Sequence, residues 1–457
     1  MSGLFDILSI GGSALAAQQR ASQIVGQNIA NLATPGYRRQ DVVLGSGFGS
    51  ASGVVVTSVR HSTNEVLGAQ VAEAQSRASL ADRRSRAVSE IESLLTSDGG
   101  SSVTSSISEL VVSFRELSAA PADPSVRQDV LLKGQAAAEA INGAAADLSA
   151  ARQRADTEVV TDVTELNSLL DEVATVNRSM PAADVVGQEA LGLDDRRQQA
   201  LTRLAQLIGA TSVVDGNGQV SVLVDGVTLV QGDEVRHVQA DTDPASGLHT
   251  LRTTDSAAVP LDTRIRGGEV GALLTVRDHD LPGVQSQLDQ LAFDLATAVN
   301  TRHLAGFGLD GLGGRAFFTP VAAVAGAAQA LSLDAAVINN SQAIAAASQP
   351  AGVPGDNGNA LSLAQLDTDL VASGATISLS GAASSMFTDL GSLVAAAESS
   401  STTASERQST LSGLLESQQG VSLEEQTLLL TEAQRAFQAA TRVIQTIDEM
   451  LDTLIKM

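Results

Sequence analysis

The sequence contains no cysteine and no tryptophan, and it has one tyrosine among 457 residues. The absence of cysteine excludes disulfides, thiolate metal ligands and cysteine nucleophiles. Aromatic residues make up 2% of the chain, whereas compact globular enzymes usually build their cores on large rings. A chain that is poor in rings but rich in Ala, Ser, Leu and Val is more typical of long packed helices.

Positive charge is scarce as well, with 28 Lys and Arg against 52 Asp and Glu and a formal net charge of -24. Nucleic acid and anionic lipid are themselves negative, so this charge opposes both as partners. No apolar stretch approaches the roughly 20 residues that span a bilayer. The N-terminal stretch "MSGLFDILSIGGSALAAQQR" lacks the basic start of a Sec signal peptide. We therefore predict no nucleic-acid binding, no membrane insertion and no Sec-dependent export.

Residue types that could support chemistry are present, but their spacing does not fit a site. The five histidines form no HExxH motif and no pair with metal-ligand spacing. The stretch "GFGLDGLGG" lacks the Lys-Ser/Thr of a P-loop, and no GxSxG elbow occurs. Residues 215–219 and 356–359 invite a calcium or a turn interpretation, and the missing bidentate Glu favours turns. The sequence predicts no enzyme, no metal and no cofactor.

The strongest pattern lies at the C-terminus, where seam positions recur with an unbroken 3-4 spacing. This spacing predicts a coiled-coil helix roughly 48 Å long. Only Gln426 is polar in the C-terminal seam, which consists of Leu423, Gln426, Leu430, Ala433, Phe437, Ala440, Ile444, Ile447, Leu451 and Leu454.

The N-terminus repeats the same spacing less regularly. Its seam consists of Leu4, Leu8, Gly11, Leu15, Gln18, Ser22, Val25, Ile29 and Leu32. We expect the two terminal helices to pack on each other or on copies of themselves; the alternative is that they are ordinary core helices of a monomeric bundle. A lone amphipathic helix is marginal in water. We therefore predict that the ends are largely disordered in the monomer and fold on polymerisation.

The middle of the chain alternates between helical and strand patterns. Helices are predicted at 64–96, 103–118, 124–178, 188–209, 282–303 and 391–420. Residues 211–275 change to period two with turn signals between short runs. The predicted fold is mainly α with a smaller β region, in which paired terminal helices form a coiled coil and a β-hairpin section is inserted into an elongated helical body. The predicted domains are 1–40 with 421–457 (coiled coil), 41–210 with 280–305 and 385–420 (helical body), 211–279 (β-rich) and 306–384 (connector or reduced outer domain).

The stretch "QNIANLATPGYRRQ" ends the N-terminal helix abruptly. Pro35 prevents continuation of the helix and drives Thr34 toward an extended conformation, while Gly36 permits a positive φ. This stretch resembles the N-terminal signature of the flagellar rod, hook and hook-associated axial proteins, from which it departs at Ala33. Asn28 and Asn31 can cap the helix or bridge to a neighbouring chain, and Tyr37 can anchor the emerging segment. The resemblance implies that this turn, with Thr34, Pro35 and Gly36, hands the chain from an axial helix to an outer domain.

The other end and the middle resemble the same family. The C-terminal segment carries the family's usual positions at Gln434, Phe437, Ala439, Val443, Ile444 and Thr446. In the middle, 191–209, 266–282, 288–318 and 355–366 resemble the branch of the family that joins hook and filament. Only 319–354 fills an interval where many members carry a β-rich outer domain, so that domain is expected to be reduced or absent.

The resemblance implies a structural subunit of the flagellum that is exported by the flagellum's own type III apparatus. Its implied partners are further copies of itself, the hook protein, the next hook-associated protein on the filament side, and an export chaperone at the C-terminal helix. A hook or rod subunit remains an alternative, as does a secreted enzyme or adhesin on a helical scaffold. The predicted assembly interface comprises Leu4, Leu8, Leu15, Val25, Asn28, Ile29, Asn31, Thr34, Pro35, Gly36, Tyr37, Leu430, Gln434, Phe437, Ala440, Ile444, Ile447, Leu451 and Leu454.

Overall fold

The computed structural model describes residues 2–34, 37–46, 53–96, 103–182, 188–216 and 218–456. Its helices are α1 (Ser2–Ala30), α2 (Glu65–Thr96), α3 (Val103–Ala119), α4 (Pro124–Ser179), α5 (Gln188–Ile208), α6 (Gly268–Thr275), α7 (Leu281–Ala305), α8 (Ala327–Ala330), α9 (Gly358–Ala364), α10 (Leu379–Gln419) and α11 (Leu423–Ile455). The predicted fold class, mainly α with a smaller β region, is confirmed.

The strands form three antiparallel sheets. A two-stranded hairpin consists of β1 (Gln40–Ser46) and β2 (Val54–His61). A four-stranded meander consists of β3 (Thr211–Val214), β4 (Val220–Val224), β5 (Val227–Gln231) and β6 (Glu234–Val235). A second hairpin consists of β7 (Val238–Thr242) and β8 (His249–Thr253).

The longest helix, α4, begins where the sequence places a start signal. Asp123 caps it by accepting a hydrogen bond from the backbone N–H of Ser125 at 2.8 Å, and Pro124 occupies the first helical turn. Its 56 residues span about 84 Å. Because its buried stripe continues along that length, α4 contributes to two successive hydrophobic cores.

The first core lies among α2, α3, α4, α7 and α10, and aromatic rings mark its centre. Phe114 and Phe317 pack edge to face with ring centroids 5.6 Å apart, and Phe318 packs against Phe317 at 5.0 Å. The sequence suggests a connector or a reduced outer domain at residues 306–384. This segment contributes the rings of Phe317 and Phe318 to the first core. This segment therefore packs against the helical body rather than standing apart from it.

His303 fixes part of that segment to the end of α7. Its Nδ1–H donates to the carbonyl of Arg315 at 2.7 Å, and its Nε2 accepts from the backbone N–H of Ala345 at 3.0 Å. Burial lowers the pKa of His303 to about 4, so the ring is neutral near pH 7 and can perform both roles.

The second core joins the distal half of α4 and α5 to the strands. Inward-facing Val222 and Leu229 are fully buried there. The Asn177 amide of α4 donates to the carbonyls of Val220 and Gly232 and accepts from the N–H of Val220. These bonds satisfy the backbone N–H and carbonyl groups at the strand ends that face the helix. The β-rich section is therefore attached to the body along α4.

Three boundaries differ from those expected. Within 41–210, expected to be helical body, Gln40–Ser46 and Val54–His61 pair as the β1–β2 hairpin, because these stretches are rich in Val. Helix α10 begins at Leu379 rather than at 391, because Ser378 caps it by accepting from the N–H of Gly381. Residues 211–279 were expected to be β-rich, but the strands end at Thr253 and Gly268–Thr275 form helix α6, whose apolar side chains are buried in the second core.

Candidate assembly interface

The terminal helices α1 and α11 pack against each other in an antiparallel pair. Gly11 lies beside Ile444 near one end, and Asn28 contacts Gln426 near the other. The prediction of disordered ends assumed that each terminal helix has no partner within its own chain. In the structure, α1 and α11 are partners, and they form a helical hairpin. We refer to α1 and α11 together as the terminal hairpin.

The predicted seam residues lie largely between these two helices. Val25, Ala433 and Ile447 are buried, and Phe437 is 37% exposed. The side chains of Leu4 and Leu454 lie outside the described residues, and Gln434 is exposed. The rest of the two predicted seams is half-buried at Leu8, Leu15, Gln18, Ser22, Ile29, Leu430, Ala440, Ile444 and Leu451. Leu32 and Leu423, which end the two seams, are exposed, so the predicted seam does not extend to them.

Gly11 allows the helices to approach closely at this end of the seam. A Cβ atom at this position would lie 2.9 Å from Cγ1 of Ile444. The residue is buried inside a helix, where glycine costs about 1 kcal/mol relative to alanine. The close approach explains its presence at a seam position.

Asn28 is the polar centre of the hairpin and is 1% exposed. Its Nδ2 donates to the carbonyl of Gln40 at 2.9 Å and to Oε1 of Gln426 at 3.1 Å. Its Oδ1 accepts from the hydroxyl of Tyr37 at 2.8 Å and from the N–H of Gln40 at 3.0 Å. Asn28 therefore joins α1, the start of β1 and α11 within one chain, and its amide is not free to bond a neighbouring copy.

Gln426, the one polar residue of the C-terminal seam, is explained by this contact. It is 1% exposed and faces Asn28 across the hairpin. A single buried polar pair in an apolar seam favours one register, since any shift leaves both amides unpaired. The pair thus specifies how far α1 and α11 slide along each other.

The turn after α1 is held by short-range bonds. The N–H of Thr34 donates to the carbonyl of Asn31 at 2.9 Å, and the Asn31 amide donates back to the carbonyl of Gln27. Pro35 and Gly36 lie outside the described residues. Tyr37 anchors the exit of the turn through Asn28, and burial, with a smaller contribution from Asp195, raises the pKa of its phenol. The hydroxyl therefore stays protonated and keeps its donor role.

A second stripe on α11 faces solvent. Each of its members immediately precedes a seam residue, so it repeats the 3-4 spacing about 100° around the helix. Val443 is 45% exposed and Met450 is 54% exposed. We call it the outer stripe, and it comprises Leu429, Glu432, Ala436, Ala439, Val443, Thr446 and Met450.

The corresponding stripe of α1 is covered over only part of its length. Ile7 and Ile10 are exposed near the N-terminus, whereas Ile24 is buried against Val59 of β2 and Leu191 of α5. Sequence reasoning missed the outer stripe because the stronger seam beside it dominates the periodicity. The apolar or small residues that directly precede five seam positions were the available signal: Leu429, Ala436, Ala439, Val443 and Met450.

The described part of the chain holds neither a metal-binding cluster nor a membrane-spanning helix. There, no group of three His, Asp or Glu residues could hold a metal ion. Within the same ranges, every helix is too short or too polar to cross a bilayer.

Comparison with protein families matches most of the chain to flagellar axial proteins. The "Flagellar hook-associated protein FlgK helical domain" matches residues 88–318. "Flagella basal body rod protein" matches residues 8–38, and "Flagellar basal body rod FlgEFG protein C-terminal" matches residues 411–457. The two end matches coincide with the terminal hairpin and its exits.

Individual relatives agree with the family matches. "Flagellar hook-associated protein 1" of Salmonella typhimurium is 29% identical over 321 residues, 67% of this chain and 58% of the relative. The match thus spans little more than half the length of that relative. The protein of the same name from Bacillus subtilis is 27% identical, and the match covers 100% of this chain and 98% of the relative.

A solved structure shares the fold. The flagellar hook junction protein FlgK from Burkholderia pseudomallei superposes with a TM-score of 0.67 at 18% identity. The match covers 77% of this chain and 100% of that one.

Proposed function

This chain belongs to the FlgK family of flagellar hook-associated proteins, and on that premise we propose that it is a structural subunit of the junction between hook and filament. Its work is assembly: the terminal hairpins of neighbouring copies pack side by side as the inner wall of a short tube, and the helical body lies outside them.

The outer stripe is the observation that carries this proposal. After α1 covers the seam, α11 still presents a second row at coiled-coil spacing, which is apolar or small except at Glu432 and Thr446, and Val443 and Met450 in it are about half-exposed. A helix with two such faces can pair with two neighbours at once. A face that repeats on every copy and binds a different face of the next copy generates a ring or a helical array.

The exposed apolar residues of α1 supply a surface for that contact. Ile7 and Ile10 are 46% and 38% exposed. Burying an exposed Val, Ile or Met side chain gains about 1.5–3 kcal/mol, so a few such contacts per copy offset part of the entropy of association. We infer that the outer stripe of one copy meets this end of α1 in the next.

The proposal includes partners at both ends of the tube and before assembly. The hook protein adjoins one end and the next hook-associated protein adjoins the filament side. An exposed apolar helix is also a liability in an unassembled chain, since it invites aggregation. A flagellar export chaperone that covers α11 until the chain leaves through the flagellar export apparatus would remove this liability.

Sedimentation with isolated hooks tests the proposal. We expect the purified protein to pellet with hooks, and Val443→Asp to abolish pelleting because it places a charge in the outer stripe. Gln445→Asp is the matched control, because it adds the same charge at an exposed position on another face of α11. Equal pelleting of both variants would show that the outer stripe does not form the contact between neighbouring copies.

The main alternative within the family is a hook or rod subunit. It predicts that the protein alone polymerises into long tubes, or that it binds along the sides of hooks in proportion to their length. The match of the FlgK helical domain to residues 88–318 favours the junction instead. Saturation of pelleting at an amount set by the number of hooks, and not by their total length, separates the two.

A further inference from the structure

We propose that Arg38, His61, Asp194 and Asp195 form a brace that sets the angle between the terminal hairpin and the helical body. Arg38 follows the turn after α1, and His61 ends β2, which packs on α1. Asp194 and Asp195 lie on α5, which belongs to the body through its packing on α4. The four side chains therefore connect the two parts of the molecule directly.

The geometry of the brace is specific. Nη2 of Arg38 lies 2.8 Å from Oδ2 of Asp194 and 2.6 Å from Oδ1 of Asp195. The His61 ring, whose side chain is 2% exposed, places Nδ1 3.1 Å from Oδ2 of Asp194 and Nε2 3.7 Å from Oδ1 of Asp195. One guanidinium nitrogen and one imidazole ring thus each face both carboxylates.

The body holds its half of the brace in place. Arg197 donates from Nη2 to Oδ1 of Asp194 at 3.0 Å and from Nη1 to the carbonyl of Gly218. Burial by itself raises the pKa of Asp194, but the hydrogen bond from His61 and the charges of Arg38 and Arg197 hold that pKa well below its usual range. Asp194 is therefore a fixed negative charge to which the hairpin side attaches.

The other attachment of the hairpin to the body is a narrow stem. Two chain crossings form it, residues 62–64 between β2 and α2 and residues 420–422 between α10 and α11. The N–H of Arg39 donates to the carbonyl of Gln419 at 3.3 Å, and the Asn64 amide donates to Oε1 of Gln418 at 2.7 Å. These bonds lie along the stem itself. They therefore do little to oppose rotation of the terminal hairpin about the stem relative to the helical body.

Packing on the brace side is too sparse to fix the angle. The apolar contact there consists of Leu191 of α5 against Ile24 and Val59, with half-buried Val42 and Val56 beside them. Beside it, a cleft of about 1280 Å³ separates residues 31–34 and 37–38 from α2, α5 and the β3–β4 strands. Since a cleft of this size can close or widen with little loss of contact, the charges of the brace are what hold the hairpin at one angle.

The angle matters for assembly, a consequence that rests on the proposed function. Terminal hairpins can form a continuous inner wall only if each one leaves its body in the same direction. A brace that narrows the range of angles lowers the entropy lost on incorporation. The brace itself is a property of the single chain and can be tested without any hook.

Distances between paired spin labels test the brace directly, and the absence of cysteine makes the labelling unambiguous. One label is placed at Gln438→Cys on α11 and the other at Ser168→Cys on α4, both at exposed positions. In this labelled background we expect one narrow distance distribution. Arg38→Met, which keeps a flexible unbranched apolar stem but removes the guanidinium charge, should widen that distribution at least twofold.

Three further variants complete the experiment. Arg38→Lys restores a positive charge and should restore the narrow distribution. Asp195→Asn, at the half-exposed edge of the brace, should widen it even if Arg38→Met folds poorly. Arg196→Ala is the matched control, because it removes an α5 ion pair with Glu172 that does not reach the hairpin. An unchanged width in Arg38→Met and Asp195→Asn, or equal widening in Arg196→Ala, overturns the proposal.

Pelleting of unlabelled Arg38→Met with hooks then separates the two proposals. A widened distribution with weaker pelleting supports both the brace and its role in assembly. A widened distribution with unchanged pelleting keeps the brace but refutes its role in assembly. If the wild-type chain does not bind hooks at all, the proposed function fails while the distance measurement still decides the brace.

Discussion

Removal of the Asn28 amide should loosen the terminal hairpin without affecting the body. Asn28→Ala deletes four hydrogen bonds and leaves Oε1 of Gln426 buried without a partner. A buried polar group left unpaired costs about 1–3 kcal/mol. The hydroxyl of half-buried Tyr37 can turn to water, and the backbone N–H and carbonyl of Gln40 lie at the half-buried start of β1, so we count one full penalty, about 2 kcal/mol.

Amide hydrogen exchange is the appropriate assay, because global unfolding is dominated by the two body cores. A loss of about 2 kcal/mol corresponds to roughly 30-fold faster exchange at hairpin amides such as those of Leu15 and Ile444. Amides of α4, for example that of Leu166, are the internal reference and should not change. Even in the wild-type chain, we expect the hairpin amides to exchange faster than those of α4, since the hairpin has one buried face.

A matched variant and a double mutant define the result that would refute this reasoning. Asn31→Ala is the control, because that amide bonds the carbonyl of Gln27 in its own helix and should change exchange little. Combining Asn28→Ala with Gln426→Ala should show a coupling of about 1 kcal/mol. Additive effects of the two substitutions, or unchanged exchange in Asn28→Ala, would show that the buried pair does not hold the hairpin in register.

Three further outcomes follow from the structure. Ile447→Asp should open the seam and prevent binding to hooks while circular dichroism still shows a folded body, whereas Gln445→Asp should do neither. Gly134→Ala should lower the free energy of unfolding by about 1–3 kcal/mol in urea titrations, because the new Cβ would lie 2.6 Å from a ring carbon in the first core; Gly143→Ala on the same helix meets nothing within 4 Å and should be neutral or stabilising. His303 has its pKa lowered to about 4, so the unfolded state binds a proton that the folded state does not as pH falls below about 6.5. Stability should therefore decrease by up to about 3 kcal/mol between pH 6.5 and pH 4, and His303→Gln should lose that part of the pH dependence.

The regular parts of the fold could be predicted because their signals are local. The start of α4 follows from Asp123 and Pro124, and the terminal seams follow from a spacing that the pairing of α1 and α11 then uses. The turn after α1 was likewise signalled by a short motif. In each case a few consecutive residues determine the conformation, so no knowledge of distant contacts is needed.

The contacts that depend on distant residues could not be predicted in the same way. Asn28 and Gln426 are 398 positions apart, and each looks like an interruption of an apolar pattern until the antiparallel register brings them together. The sequence likewise does not predict that Arg38 pairs with Asp194 and Asp195 on α5, because ion pairs between distant residues leave no periodic pattern. Phe317 and Phe318 did carry a usable signal, because rings in an aromatic-poor chain mark a core and not a connector.

The most direct measurement of the central claim is electron microscopy of isolated hooks incubated with the purified protein. We expect added density in a short zone confined to the distal tips, with the terminal hairpins innermost and the outer stripe of α11 against a neighbouring copy. Long tubes or growth along the axis would contradict the junction assignment and indicate a hook or rod subunit. Folded protein that leaves the hooks bare would contradict the assembly role itself.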